Sequence, residues 1–200
     1  NINGKPFLYY QLRYLKKNKI NNVLLSAGYM AEKIKKYIKN IKFINVKINE
    51  DGKKLLGTGG AILKSLHLLK PNFYVIYGDS YLNFKLTKLR NNKNFPTMAI
   101  YKNNNKFDKS NVKLGSGRKI IYFKNKKKKL QYIDYGAAYL NKKIFKNKMK
   151  YSKFDLSELY EEISKRKMLN GYKVSKRFYE IGSYNGISDL KKYLNNKWNS

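Results

Sequence analysis

Along this chain the spacing of apolar residues switches repeatedly between the helical period and the strand period. Over 6–20, "PFLYYQLRYLKKNKI" holds them at helical spacing and opens on Pro6, whose missing N–H costs nothing in a first helical turn. "NNVLLSAGY" (21–29) is a short apolar strand broken by Gly28, "MAEKIKKYIKN" (30–40) an amphipathic helix, and "IKFINVKI" (41–48) a second strand. After a glycine-rich stretch a helix runs to about Leu69, followed by the strand "NFYVIYGDS" (72–80). "LTKLRNN" (86–92) reads as a short helix and "TMAIYK" (97–102) as a strand. Strands and helices alternating at this length predict an open, largely parallel α/β sheet.

Beyond about residue 103 the style changes. "NVKL" (111–114), "KIIYFKN" (119–125), "LQYIDYGAAYL" (130–140) and "YKVSKRFYEIG" (172–182) read as strands, with a turn at "GSG" (115–117). One helix intervenes, "DLSELYEEISKRK" (155–167), with Ser157 as a capping-like residue, and a last helix covers roughly 186–196. No internal repeat or long linker divides the chain. The first half bears a glycine loop and an acid, and the second adds a mixed sheet able to close over a ligand.

Two hundred residues, 42% of them hydrophobic, suit one domain with a sizeable core. The 45 Lys and Arg against 12 Asp and Glu give a net charge of +33, a field that favours nucleic acid, acidic membranes or phosphorylated metabolites. Lysine, asparagine, isoleucine and tyrosine are all over-used, however, as an AT-rich coding sequence produces without selection for binding. The lysines are also scattered, apart from "KNKKKKL" (124–130), so the charge reads first as a solvated surface. The absence of cysteine excludes disulfides and thiolate metal sites, and a single histidine, His67 on a helix face, excludes a multi-histidine site. No apolar run reaches the roughly 18 residues of a membrane span, and "NINGKPFLYY" lacks a signal-peptide shape. The expectation is a cytoplasmic protein with no membrane partner.

The chemistry concentrates in a few places. In "LLGTGGAILKSL" (55–66), glycines leave a backbone bare enough for a ligand to touch, and they run into a helix whose N-terminus attracts anions. Backbone groups of Gly57, Thr58, Gly59 and Gly60 could hydrogen-bond a base and its ribose; the stretch is no Walker A motif, lacking Gly-Lys-Ser/Thr. Most of the acids fall in helices, loops or turns, where solvation or capping accounts for them. Asp79 ("YGDS"), Asp134 ("YIDYGAA") and Glu180 ("YEIGS") instead each lie within two residues of a glycine at a strand end. Ligands of open α/β sheets sit at such ends, and carboxylates from two strands suit a Mg²⁺ ion between phosphates. Asp134 could equally cap a turn, and Tyr135 could simply pack.

In chain order, "NGKPFLYYQLRYL", "VLLSAGYMAEKIKKYI", "LLGTGGAIL", "FYVIYGDS", "YIDYGAAYL" and "FYEIGSYNGI" resemble the sugar-1-phosphate nucleotidyltransferases, in the branch that activates heptose 1-phosphate with GTP. The likeness covers nearly the whole chain. It implies a Rossmann-like α/β fold, with a mostly parallel central sheet flanked by helices and a smaller mixed-sheet sugar-binding part. It also implies one nucleotidyltransferase domain over 1–200, its nucleotide-binding part at roughly 1–102 and its sugar-binding part at 103–200. The implied reaction joins an NTP, GTP before others, to a sugar 1-phosphate with Mg²⁺, releasing pyrophosphate and giving an NDP-sugar for cell-surface polysaccharide synthesis.

By the same resemblance Gly57 to Gly60 belong to the base and ribose site, and Asp79 matches the metal-binding aspartate. Glu180 falls where a second metal-binding acid, often Asp, is usual; Asp134, Tyr135 and Gly136 match the sugar-facing segment, and Lys124 or Lys126 a lysine on the sugar phosphate. Members begin with a strand and a GGxGTRL loop that embraces the triphosphate, whereas this chain starts after that element, and "SYNG" (183–186) stands where relatives have SPEG. The expectation is either a piece of a working enzyme or a degenerate relative that binds nucleotide or a partner without turnover. A basic nucleic-acid binder is the remaining reading; it rests on charge alone and has no recognition motif.

Overall fold

The structure, a computed structural model, describes residues 1–52, 55–90, 95–125 and 129–198. Pro6 leads into α1 (Phe7–Lys17), which buries Phe7, Tyr10, Leu12 and Leu15. Then come β1 (Asn22–Ala27), α2 (Ala31–Ile38) and β2 (Asn45–Glu50), a right-sized βαβ unit whose strands pair in parallel from Asn22↔Asn45 to Ala27↔Glu50. Apolar spacing places the second strand too early: Ile41, Phe43 and Ile44 pack in the core on the approach to the ladder. The glycines at 57–60, expected as a loop, form the first turn of α3 (Gly57–Ser65), which continues as a 3-10 turn over Leu66–Leu68.

The expected strand 72–80 is two, β3 (Asn72–Ile76) and β4 (Ser80–Tyr81), separated by a turn that carries Gly78 and Asp79. A 3-10 turn (Leu86–Leu89) stands for the expected short helix, and β5 (Thr97–Lys102) follows as predicted. The second half supplies β6 (Val112–Leu114), β7 (Ile120–Tyr122) and β8 (Tyr132–Asn141), then a 3-10 segment (Lys142–Lys148) that the sequence pattern did not announce. Next are α4 (Leu156–Lys165), β9 (Asn170–Val174), β10 (Tyr179–Glu180) and α5 (Tyr184–Trp198). Asp155, not Ser157, stands at the N-cap of α4, and "YKVSKRFYEIG" is divided between β9 and β10.

The main sheet runs β7-β6-β8-β5-β9 with β3 on the other side of β8. β8 lies antiparallel between β3 and β5, and β5 pairs with β9 in parallel. The sheet is therefore mixed, because a strand from the second half inserts between two of the first. Residues 135–140 of β8 are all buried, as a strand covered on both faces requires. Met98, Ile100, Ala138 and Leu140 face a core closed by Leu156, Leu159, Tyr160 and Ile163 of α4. Ala99, Ile133, Tyr135, Ala137 and Tyr139 face the opposite core, closed by Leu12 and Leu15 of α1. The alternation has the strand period of two, so register and burial agree. α5 adds Leu190 and Leu194 to a third cluster with Phe7, Tyr10 and Tyr81.

Candidate active site

Residues Tyr77 to Ser80 form a turn closed by the Ser80 N–H donating to Tyr77 O at 3.2 Å. Asp79 is exposed at its tip, with Oδ1 accepting from Ser80 Oγ at 3.1 Å. β4 and β10 pair antiparallel, Ser80↔Glu180, and Ile181 N–H donates to Asp79 O at 3.1 Å. This ladder brings the two acids singled out as metal ligands to one edge of the fold. Glu180 is turned onto its own loop: Oε1 accepts from Ser183 Oγ at 2.6 Å and Oε2 from the Gly182 N–H. Gly186 lacks a side chain where a Cβ would collide with the Glu180 backbone carbonyl as well as with its carboxylate.

Asp134 lies behind the turn. The register of β5 against β8 shifts between Met98 and Ile100, and Gly136 in the bulge adopts φ +84°, a conformation that favours glycine. A Cβ on Gly136 would meet Ser80 Oγ at 2.6 Å, so the glycine also lets β8 approach the Asp79 turn. Part of Asp134 reaches the surface, but its carboxyl is enclosed. Oδ1 accepts from the Gly136 N–H and Oδ2 from the Tyr77 hydroxyl, both at 2.9 Å. Burial pushes this carboxyl up to about 6, although the two hydrogen bonds favour its charged form. Burial, with Asp134 close by, also pushes the Tyr77 hydroxyl well above its ordinary range. Tyr135 belongs to the core, its hydroxyl donating to Lys176 O at 2.9 Å and its ring against Phe84, Tyr101 and Phe178.

Among the described residues Asp79, Asp134 and Glu180 form no ion pair, in a chain with 45 Lys and Arg. Glu32, Glu50, Glu158, Glu161, Glu162 and Asp189 all do. The described residues contain no group of three or more His, Cys, Asp or Glu able to hold a metal ion. Asp79 nonetheless fits one end of a hard divalent cation, being an exposed oxygen donor with no cation of its own. Glu180 could serve a cation only if its carboxylate left Gly182 and Ser183, which hold both of its oxygens.

The glycine segment packs against the approach to α4. Gly59 and Gly60 N–H groups donate to Phe154 O at 3.0 and 3.1 Å, Phe154 N–H donates to Leu56 O, and Leu156 N–H donates to Thr58 Oγ1 at 2.9 Å. A Cβ on Gly57 would meet Phe154 O at 2.5 Å, and one on Gly59 would overlap the Phe154 ring. The bare backbone is thus approached by the segment leading into α4. Lys124 Nζ pairs with Glu158 Oε1 at 2.7 Å; that hydrogen bond pushes the lysine up and the glutamate down from their ordinary values. Lys126 lies outside the described residues. His67 is exposed on the 3-10 turn after α3. The sequence pattern missed Tyr77 and Gln11, the latter a lone uncharged polar side chain on the apolar face of α1, whose Nε2 donates to Tyr77 O at 3.0 Å and Ser80 O at 3.1 Å.

A cavity of about 680 Å³ opens onto the same turn. β1 pairs only with β2 and β3 only with β8 among the described residues, and both strands line this cavity. Val23, Leu24, Leu25, Phe73, Tyr74 and Ile76 form its walls, and Gly78 and Ser80 lie along it.

Carboxylates gathered on turns beside a sheet, without a lysine or arginine on them among the described residues, mark this edge as the candidate site. The comparisons narrow this. No protein-family model matches the chain. It is 35% identical over 184 residues to D-glycero-alpha-D-manno-heptose 1-phosphate guanylyltransferase of Campylobacter jejuni, covering 90% of this chain and 82% of that protein. It is 31% identical to the protein of the same name from Aneurinibacillus thermoaerophilus, over 90% of this chain and 81% of that one. The fold matches HddC from Yersinia pseudotuberculosis complexed with GMP-PN, with a TM-score of 0.80 at 20% identity over 97% of this chain and 88% of that one. The chain belongs to the sugar-1-phosphate nucleotidyltransferase family. No helix among the described residues is long and apolar enough to cross a membrane.

Proposed function

We propose that this protein joins GTP to a heptose 1-phosphate, giving the GDP-sugar and pyrophosphate in the cytoplasm for cell-surface polysaccharide synthesis. The observation that supports the site assignment is the pairing of β4 with β10, which sets Glu180 opposite Ser80 and Ile181 opposite Asp79, so that both acids lie at one edge with no lysine or arginine on either among the described residues. The names of the two guanylyltransferase relatives support the choice of base and sugar. A phosphate oxygen of the sugar 1-phosphate attacks the α-phosphorus in line. One P–O bond forms as the bond to the pyrophosphate oxygen breaks, and no side-chain nucleophile is needed because the attacking phosphate is already an anion. Asp79 and Glu180 would hold a Mg²⁺ ion, whose charge offsets that of the phosphates.

The glycine segment contributes the N-terminal end of α3 to the base, within the limits set by Phe154. The cavity between β1 and β3 opens beside Gly78 and Ser80 and offers room for a ligand at the Asp79 turn. Pyrophosphate release from GTP, ATP, CTP and UTP with heptose 1-phosphate and Mg²⁺ tests the reading. GTP is expected to be preferred, and equal rates with all four would remove the guanylyl assignment.

A further inference from the structure

We infer that Gln11 and Asp134 are positioning residues for the Asp79 carboxylate, gripping its turn from opposite sides; this rests on the reading of Asp79 as a metal ligand. A four-residue turn closed by one backbone hydrogen bond holds its tip loosely. Here Gln11 reaches from α1 to the first and last carbonyls of the turn, Tyr77 O at 3.0 Å and Ser80 O at 3.1 Å. Only the amide nitrogen can satisfy two carbonyl oxygens, so both Gln11 donors are committed to the turn. On the other side β8 takes the Tyr77 N–H at Gly136 O (3.0 Å) and the Tyr77 hydroxyl at Asp134 Oδ2 (2.9 Å).

The partners of Asp134 explain why an acid stands there. Its carboxylate accepts from Gly136 N–H and Tyr77 OH, its own N–H donates to Asn111 Oδ1 at 2.9 Å, and no lysine or arginine reaches it among the described residues. An acceptor with two oxygens is needed to bind the bulge of β8 and the tyrosine together, and a carboxylate supplies both. Neither Gln11 nor Asp134 hydrogen-bonds the Asp79 side chain, so any influence on a metal passes through the geometry of the turn. Outer-shell groups of this kind commonly govern how well a ligand is presented.

The test uses the 200-residue chain and variants Gln11→Met, Tyr77→Phe and Asp134→Asn. Amide hydrogen exchange is read at Ser80 and Ile181, the two donors that hold the turn, with the Gly59 amide of α3, bonded to Phe154 O, as control. Mn²⁺ affinity is read by electron paramagnetic resonance. The proposal predicts exchange about ten-fold faster at Ser80 and Ile181 with Gly59 unchanged, the factor one ordinary hydrogen bond supplies. It also predicts Mn²⁺ affinity weakened about ten-fold or more. Exchange that rises equally at all three amides, or stays at the parent rate, overturns it, as does parent Mn²⁺ affinity in variants with a loosened turn. If Asp79→Asn binds Mn²⁺ like the parent, the metal reading fails on its own, and the grip on the turn is then decided by hydrogen exchange alone.

Discussion

Two regions carry the residues that sequence motifs single out, and the fold uses them in different ways. In the first, Gly57 to Gly60 begin α3 and lie against Phe154, with two of their N–H groups given to its carbonyl. In the second, Asp79, Asp134 and Glu180 gather around the Tyr77–Ser80 turn without a lysine or arginine on any of them among the described residues. A glycine marks only that something approaches the backbone closely, and here a neighbouring segment does. A carboxylate without a cation, in a chain with nearly four cations per acid, points outward to a ligand or inward to a specific hydrogen-bond role. Acids were the sharper signal because the chain has so few.

The contrast can be broken most forcefully at Gly59. Gly59→Val drives a branched side chain into the Phe154 ring and is expected to cost about 3 kcal/mol or more, read by denaturant unfolding. Phe154→Ala in the same chain should recover part of that loss, and a double-mutant cycle with no coupling would separate the glycine from Phe154. A fall in nucleotide affinity in Gly59→Val alone therefore carries no information about the base site.

Asp134 offers a pH signature that no residue of the glycine segment can give. Its folded pKa is raised from 3.8 to about 6, so the native state binds a proton more tightly than the unfolded chain. That contribution is present at low pH and is lost as pH rises through 6. Relative to Asp134→Asn, the parent should gain about 2 kcal/mol of stability between pH 7 and pH 4.5. A constant difference across that range would show the carboxyl to be solvated. A smaller effect is expected from Thr58→Val, which deletes the acceptor of the Leu156 N–H and should cost about 1 kcal/mol. Smallest is Lys124→Met: its pairing with Glu158 is largely exposed, so the melting temperature should not move measurably, whereas a KM for sugar phosphate raised several-fold would keep Lys124 in the site.

How much was legible follows from how local each signal is. α1, β1 and α2 could be read because their apolar periods are uninterrupted, and β5 falls where predicted. The order of strands could not, since the antiparallel insertion of β8 between β3 and β5 depends on contacts far apart in the chain, from Asn72↔Asn141 to Lys102↔Tyr132. "YVIYGDS" looked like one strand because Tyr77 continues its apolar run; the turn is dictated by Gly78 together with the hydrogen bonds of Gln11 and β8. Tyr135 reads alike whether it faces a ligand or Phe84, Tyr101 and Phe178, and only the register of β8 decides for the core. Gln11 gave a faint signal, a polar residue on an apolar helix face, without a hint of its partners 66 and 69 residues away.

The most direct test of the central claim, that the Asp79 turn is the metal-bearing site of a nucleotidyl transfer, is Mg²⁺-dependent pyrophosphate release with GTP and heptose 1-phosphate, comparing the parent with Asp79→Asn. Asp79 is exposed and no other described side chain but Ser80 bonds its carboxylate, so the fold should survive the substitution. Loss of one carboxylate from a catalytic Mg²⁺ should remove several kcal/mol of transition-state stabilisation, about a thousand-fold in rate or more. The account predicts that loss with unchanged circular dichroism and melting. Turnover by Asp79→Asn within a few-fold of the parent, at the same Mg²⁺ concentration, would contradict it.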